Sequence, residues 1–110
     1  MWPTPENDYC IYVLRCPVTN NIKYVGQTTW GKTRIQNHWK DFRLNKNGKL
    51  IRVKAWIKSL RTKGTPFIVE YIDYGTTRDE LNQKEIYWIA YYKSLGCELL
   101  NANAGGNSKN

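Results

Sequence analysis

Cysteine, histidine and acid are all scarce in this chain of 110 residues. Three cysteines occur, Cys10, Cys16 and Cys97, and no Cys-x-x-Cys. An odd count without that spacing argues against a disulfide framework and against a cysteine zinc site. A reduced, intracellular and cytoplasmic setting is the simplest expectation. His38 is the single histidine, which excludes a multi-histidine metal site within one chain. No run approaches the roughly 18 apolar residues that span a bilayer, so no membrane partner is expected. Residues 1–9 lack the basic and apolar regions of a secretory signal. What the chain does have is 41% apolar and 14% aromatic residues, including five Trp and eight Tyr. That is too much for a disordered chain and enough for the core of one domain.

Nine acids stand against 17 Lys and Arg, a formal charge of +8. The excess is local. Between Lys32 and Lys63 lie eleven basic residues and one acid, Asp41, so this stretch is +10 and the remainder is net −2. A contiguous block of one sign suits a polyanion, because phosphates attract it and release counterions on binding. Solvation of exposed helix faces works as well with mixed signs, so the imbalance favours nucleic acid.

Residues 1–8, with Pro3 and Pro5, read as an irregular lead-in. Tyr9 to Cys16 is a nearly continuous apolar, β-prone run, as in a strand buried on both faces. Turn residues Pro17 to Asn21 and a second run, Ile22 to Gln27, complete an antiparallel hairpin that Gly26 ends. Thr28 or Thr29 is placed to cap a helix reaching Asn45, with Ile35, Trp39 and Phe42 on one face. Val53, Trp56, Ile57 and Leu60 mark a second helix that Gly64 closes. Phe67 to Tyr74 reads as a third strand. Thr77-Arg78-Asp79-Glu80 matches a capping box before a long helix ending near Leu95-Gly96. Ala102 to Asn110 is small and polar, a frayed end or the start of a linker. The predicted class is α/β of the α+β type: a small three-stranded, mainly antiparallel sheet flanked by three helices, in the order β-β-α-α-β-α.

The last helix carries the most informative residue. Its apolar stripe passes through Leu81, Trp88, Ile89 and Tyr92, and Glu85 falls within it. A buried, unpaired carboxylate costs several kcal/mol, so such a residue meets an Arg, a metal or a catalytic duty. A slight rotation of the helix would instead leave it solvated at the boundary. On the first helix, Arg34 and His38 stand at i and i+4 and share a face.

Taken together, these residues resemble the GIY-YIG nuclease family. The first motif is present as Cys10-Ile11-Tyr12 and the second as Tyr24-Val25-Gly26. Arg34 matches the family's arginine, His38 the residue one turn later, Glu85 the glutamate of the third helix, and Asn101 the asparagine just after it. Cys10 replaces a glycine and Val25 an isoleucine. The resemblance runs from Tyr9 to Gly106, giving a lead-in over 1–8, a nuclease domain over 9–106 and a polar tail or linker over 107–110.

The resemblance implies a magnesium-dependent DNA endonuclease, a phosphodiester hydrolase in which Mn²⁺ substitutes for Mg²⁺. Its catalytic residues would be Tyr12, Tyr24, Arg34, His38 and Glu85, with Gly26 and Asn101 supporting the site. Glu85 would be the metal ligand, sufficient because Mg²⁺ keeps several waters. Arg34 would clamp phosphate oxygens. Tyr12 would accept the proton of the attacking water, with Tyr24 orienting water or phosphate and His38 relaying a proton. A phenol titrates near pH 10, so positive charge from Arg34, the metal and local lysines is expected to lower it. Lys32, Lys40, Arg43, Lys46, Lys54, Lys58 and Arg61 would follow the DNA backbone. Cutting both strands would take a dimer or two successive nicks, and sequence preference a partner chain or a further DNA-binding domain outside this chain. Two other classes share some of these features: a non-catalytic nucleic-acid-binding module retaining the fold, and a protein-interaction module with an acidic partner.

Overall fold

A computed structural model describes residues 2–40 and 52–101. Its elements are β1 (Cys10–Arg15), β2 (Ile22–Thr28), α1 (Lys32–Lys40), α2 (Arg52–Lys63), β3 (Ile68–Tyr74) and α3 (Arg78–Ser94). The strands form one antiparallel sheet ordered β2-β1-β3. The class and the element order are those expected from the sequence.

β1 is central because its residues are apolar on both faces, and Cys10 to Leu14 are fully buried. Side chains alternate across the sheet, so the strand feeds two cores. Tyr12 and Leu14 join Ile35 of α1, Val53, Ile57 and Leu60 of α2, and Phe67 and Val69 on one face. Ile11 and Val13 join Val25, Leu81 and Ile89 on the other, beneath α3. The sheet is thus layered between α1 and α2 on one side and α3 on the other.

Two boundaries differ from the sequence reading. β2 runs past Gly26 to Thr28, and neither Thr28 nor Thr29 caps α1. The Thr28 hydroxyl instead accepts from the Trp30 backbone N–H at 2.9 Å, holding a tight turn. Gly31 follows in the left-handed region, φ 57°, and donates to the Asp8 carbonyl at 3.1 Å. Only then does the helix begin, at Lys32. The expected extension of α1 to Asn45 lies outside the described residues.

The other signals act as their chemistry dictates. Gly64, at φ 73°, closes α2. Thr77 caps α3, its hydroxyl accepting from the Glu80 N–H at 3.1 Å. The Glu80 carboxylate reaches back to the Thr76 N–H at 2.7 Å, one residue earlier than the standard box. Asp73 of β3 accepts from Lys84 Nζ and Trp88 Nε1, both at 3.0 Å, and so fixes the rotation of α3. Burial pushes its carboxyl up, but the Trp88 and Lys84 hydrogen bonds outweigh that and hold it below the ordinary value. The lead-in has no regular structure, yet Trp2 is buried, stacks on Phe67 at 4.9 Å and donates to the Phe67 carbonyl at 2.8 Å. All three cysteines are free thiols. Among the described residues no helix is long and apolar enough to cross a membrane.

Candidate active site

The antiparallel register places Tyr12 opposite Gly26 and Leu14 opposite Tyr24. Tyr12 and Tyr24 therefore stand on the same face as diagonal neighbours, and their ring centroids lie 6.3 Å apart. A register shift in the β1–β3 pairing falls between Ile11 and Tyr12, one residue along. Such irregularities re-aim side chains beside functional sites.

Gly26 lets the Tyr12 ring lie flat against β2. A Cβ built at position 26 would sit 2.5 Å from both Cζ and Oη of Tyr12. Gly26→Ala is therefore expected to destabilise the fold by about 1–3 kcal/mol through overpacking, read as a shifted midpoint in urea melts. An unchanged midpoint would mean that the ring has room to move.

His38 lies on α1 one turn after Arg34 and is buried. Its Nε2 is 2.6 Å from the Tyr12 hydroxyl. The imidazole also packs edge-on against both phenol rings, at 5.8 Å from Tyr12 and 5.5 Å from Tyr24. Burial is the largest influence on Tyr12 and pushes its phenol well above the ordinary value of 10.0. Tyr24 and Glu85 push the same way, while the Arg34 guanidinium beside it pulls down without prevailing. Tyr24 is raised as well, by burial first and then by Glu85, again against Arg34. Arg34 thus lowers both phenols as expected, but burial outweighs it, because the same packing that gathers the site also dries it. The Tyr12 hydroxyl and the His38 imidazole form a buried hydrogen-bonded pair.

Glu85 approaches from α3, on the opposite face. It is 8% exposed, so the helix is not rotated to leave it in solvent. The two faces meet around β2, the strand at the sheet's edge. Gln27, next to Gly26 and hence pointing to the α3 side, ties β2 to α3. Its Nε2 donates to Glu85 Oε1 at 2.9 Å and to Asn82 Oδ1 at 2.7 Å. Its Oε1 accepts from Arg78 Nη1 at 2.6 Å. An arginine only donates and a carboxylate only accepts, so this amide orientation is dictated by its partners. Gln27 and Arg78 were not singled out from the sequence. The signal was available for Gln27, since a carboxylate buried on α3 needs a donor from β2. Arg78 was visible only as part of the capping segment.

Asn101 pairs with both backbone groups of Val25. It accepts from the N–H at 3.1 Å and donates to the carbonyl at 2.7 Å. Of the basic residues, Lys40, Lys58 and Arg61 are exposed, and Lys32 and Lys54 are half-buried. Arg61 donates to the Trp39 carbonyl at 3.1 Å and lies over its ring, tying α2 to α1. Arg43 and Lys46 lie outside the described residues.

No group of three or more His, Cys, Asp or Glu able to hold a metal occurs among the described residues. Glu85 is therefore a single hard oxygen donor, held by an amide on one of its oxygens. That fits Mg²⁺ or Mn²⁺ better than an ion needing an all-protein cage, because the remaining positions suit water and phosphate.

No curated protein and no solved structure matches the chain significantly. The family model for the GIY-YIG catalytic domain matches residues 8–100, which takes in the site just described up to Asn101, the next residue. The chain belongs to the GIY-YIG family.

Proposed function

We propose that the protein is a divalent-metal-dependent DNA endonuclease. GIY-YIG membership supports a nuclease-type function in general, and nucleases of the family act on DNA and are generally metal dependent. The observation that carries the specific reading is the convergence of a phenol–imidazole pair, a guanidinium and a buried carboxylate, drawn from β1, α1 and α3.

Glu85 would hold the cation, which when bound supplies Lewis-acid stabilisation to the phosphate and the leaving 3′ oxygen. Arg34 binds nonbridging phosphate oxygens and offsets the charge that grows on them in the transition state. Burial raises the Tyr12 phenol, which favours a relay over a resting phenolate. As its oxygen takes a proton from the attacking water, its own passes to His38 Nε2, 2.6 Å away. Water oxygen bonds to phosphorus and the bond to the 3′ oxygen breaks. Tyr24 packs against the imidazole and orients the incoming water or phosphate. Lys32, Lys40, Lys54, Lys58 and Arg61 give affinity along the backbone without choosing sequence.

Supercoiled plasmid is the direct test. The parent is expected to nick it with Mg²⁺ and to stop when the metal is chelated. Arg34→Ala is expected to lower the rate by about 10²-fold or more, as for loss of one charge-stabilising donor. Salt-sensitive binding without cleavage under Mg²⁺ or Mn²⁺ would favour the non-catalytic module.

A further inference from the structure

Beside the tyrosine cluster lies a cleft of about 210 Å³, lined by Gln27, Thr28, Thr29, Trp30, Arg34 and Arg78. Two guanidiniums from different helices share it, and no acid lines it. Ion pairs among the described residues join Arg15 to Glu70, and Lys84 to Asp73 and Glu80, and include neither arginine. Arg78 is nonetheless held in place. Its Nη1 donates to Gln27 and its Nη2 lies 3.5 Å from Thr29 Oγ1. Two guanidiniums facing a cleft with no acid in its lining favour an anion there, with Glu85 reached from Arg78 only through the Gln27 amide.

The third feature is Trp30. The other four tryptophans pack against neighbouring rings. Trp30 is 63% exposed in the tight turn after β2, its backbone pinned by Thr28. An indole displayed on a rigid turn beside two arginines offers a stacking face next to a phosphate site.

We propose that this cleft is a nucleotide subsite flanking the scissile position. Arg78 holds the phosphate next to the one that Arg34 clamps, and Trp30 stacks on a base that is unpaired or flared from the duplex. The cleft would thus select DNA with a locally open base beside the cut. This rests on the nuclease reading, and the experiment separates the two.

Binding is measured by anisotropy in EDTA on two labelled duplexes, one fully paired and one with a single unpaired base. Trp30→Ala is expected to weaken binding to the second about tenfold, the scale of one base–aromatic stack, and to the first less than about twofold. Trp30→Phe restores most of the loss. Arg78→Ala is expected to weaken both about tenfold and to reduce the salt slope by about one, with Arg78→Lys recovering part. Lys93→Ala, at the far end of α3, reports the loss of an unrelated charge and stays within about twofold of the parent. Parent affinities in Trp30→Ala and Arg78→Ala would overturn the subsite, and an equal loss on both duplexes for Trp30→Ala would overturn its stacking role. Cleavage of the same duplexes by the parent in Mg²⁺ is scored separately. Trp30- and Arg78-dependent binding without any cleavage would leave the subsite standing and overturn the nuclease.

Discussion

Glu85→Gln is expected to lower Mg²⁺-dependent cleavage by about three orders of magnitude, the equivalent of about 4 kcal/mol of transition-state stabilisation. The substitution keeps volume and removes the charge. Stability should change little, because Gln27 still has an oxygen to bond. The loss should fall on kcat at saturating metal, and the metal concentration for half-maximal rate should rise. Glu85→Asp, which keeps the charge but retracts it by one methylene, should recover part of the rate. Parent-like cleavage by Glu85→Gln would remove this carboxylate from the chemistry and leave its burial unexplained.

Tyr12→Phe is expected to lower kcat by about 10²–10⁴-fold, the range for loss of a positioned proton-transfer group. The ring stays against Gly26, so packing survives, but His38 Nε2 loses the hydroxyl 2.6 Å away. The pH dependence distinguishes this from a packing defect. Tyr12 is raised well above 10.0 in the fold. Below the unfolded value both states keep the proton, and the buried phenol's contribution to stability is whole. Above pH 10 the unfolded chain releases its proton before the native state does, so stability falls as pH rises through the interval up to the folded value. Tyr24 adds to the same loss, as does Tyr71, pushed up to about 12, and Cys10, at about 11, begins it near pH 9. Tyr12→Phe should therefore flatten the alkaline decline of the melting temperature. An unaltered decline together with parent-like kcat would take the phenol out of the relay.

Much of this architecture was legible because local signals agreed with one another. The apolar run over β1 demanded a central strand, and Thr77 with Glu80 announced α3. Glu85 stood out on the α3 stripe, and the structure decides for burial over a rotated, solvated helix. The start of α1 was misjudged because Thr28 and Thr29 satisfy the preference for a capping hydroxyl. What overrides them is the Trp30-Gly31 turn, whose contact with Asp8 is tertiary and leaves no local trace. The packing of Trp2 on Phe67 was hidden for the same reason, being a contact across 65 positions. The burial that raises the two tyrosines was not legible in the sequence. Sequence reveals which charges are near in type, whereas the loss of hydration depends on packing density. Arg78 was overlooked because a basic residue among cap residues has an adequate local explanation.

The contact between Asn101 and Val25 has a consequence for how the protein behaves at high concentration. β2 has β1 on one side only, and an open strand margin is a template for pairing with another molecule. The carboxamide of Asn101 occupies the donor and acceptor of Val25 much as an adjoining strand would, and the Leu100 N–H takes the Lys23 carbonyl at 2.6 Å. The segment after α3 thus serves as a selvedge that keeps this margin from fraying into intermolecular sheets. Shortening the chain ahead of Leu100 would expose ready hydrogen-bonding groups beside the tyrosine cluster and invite self-association there.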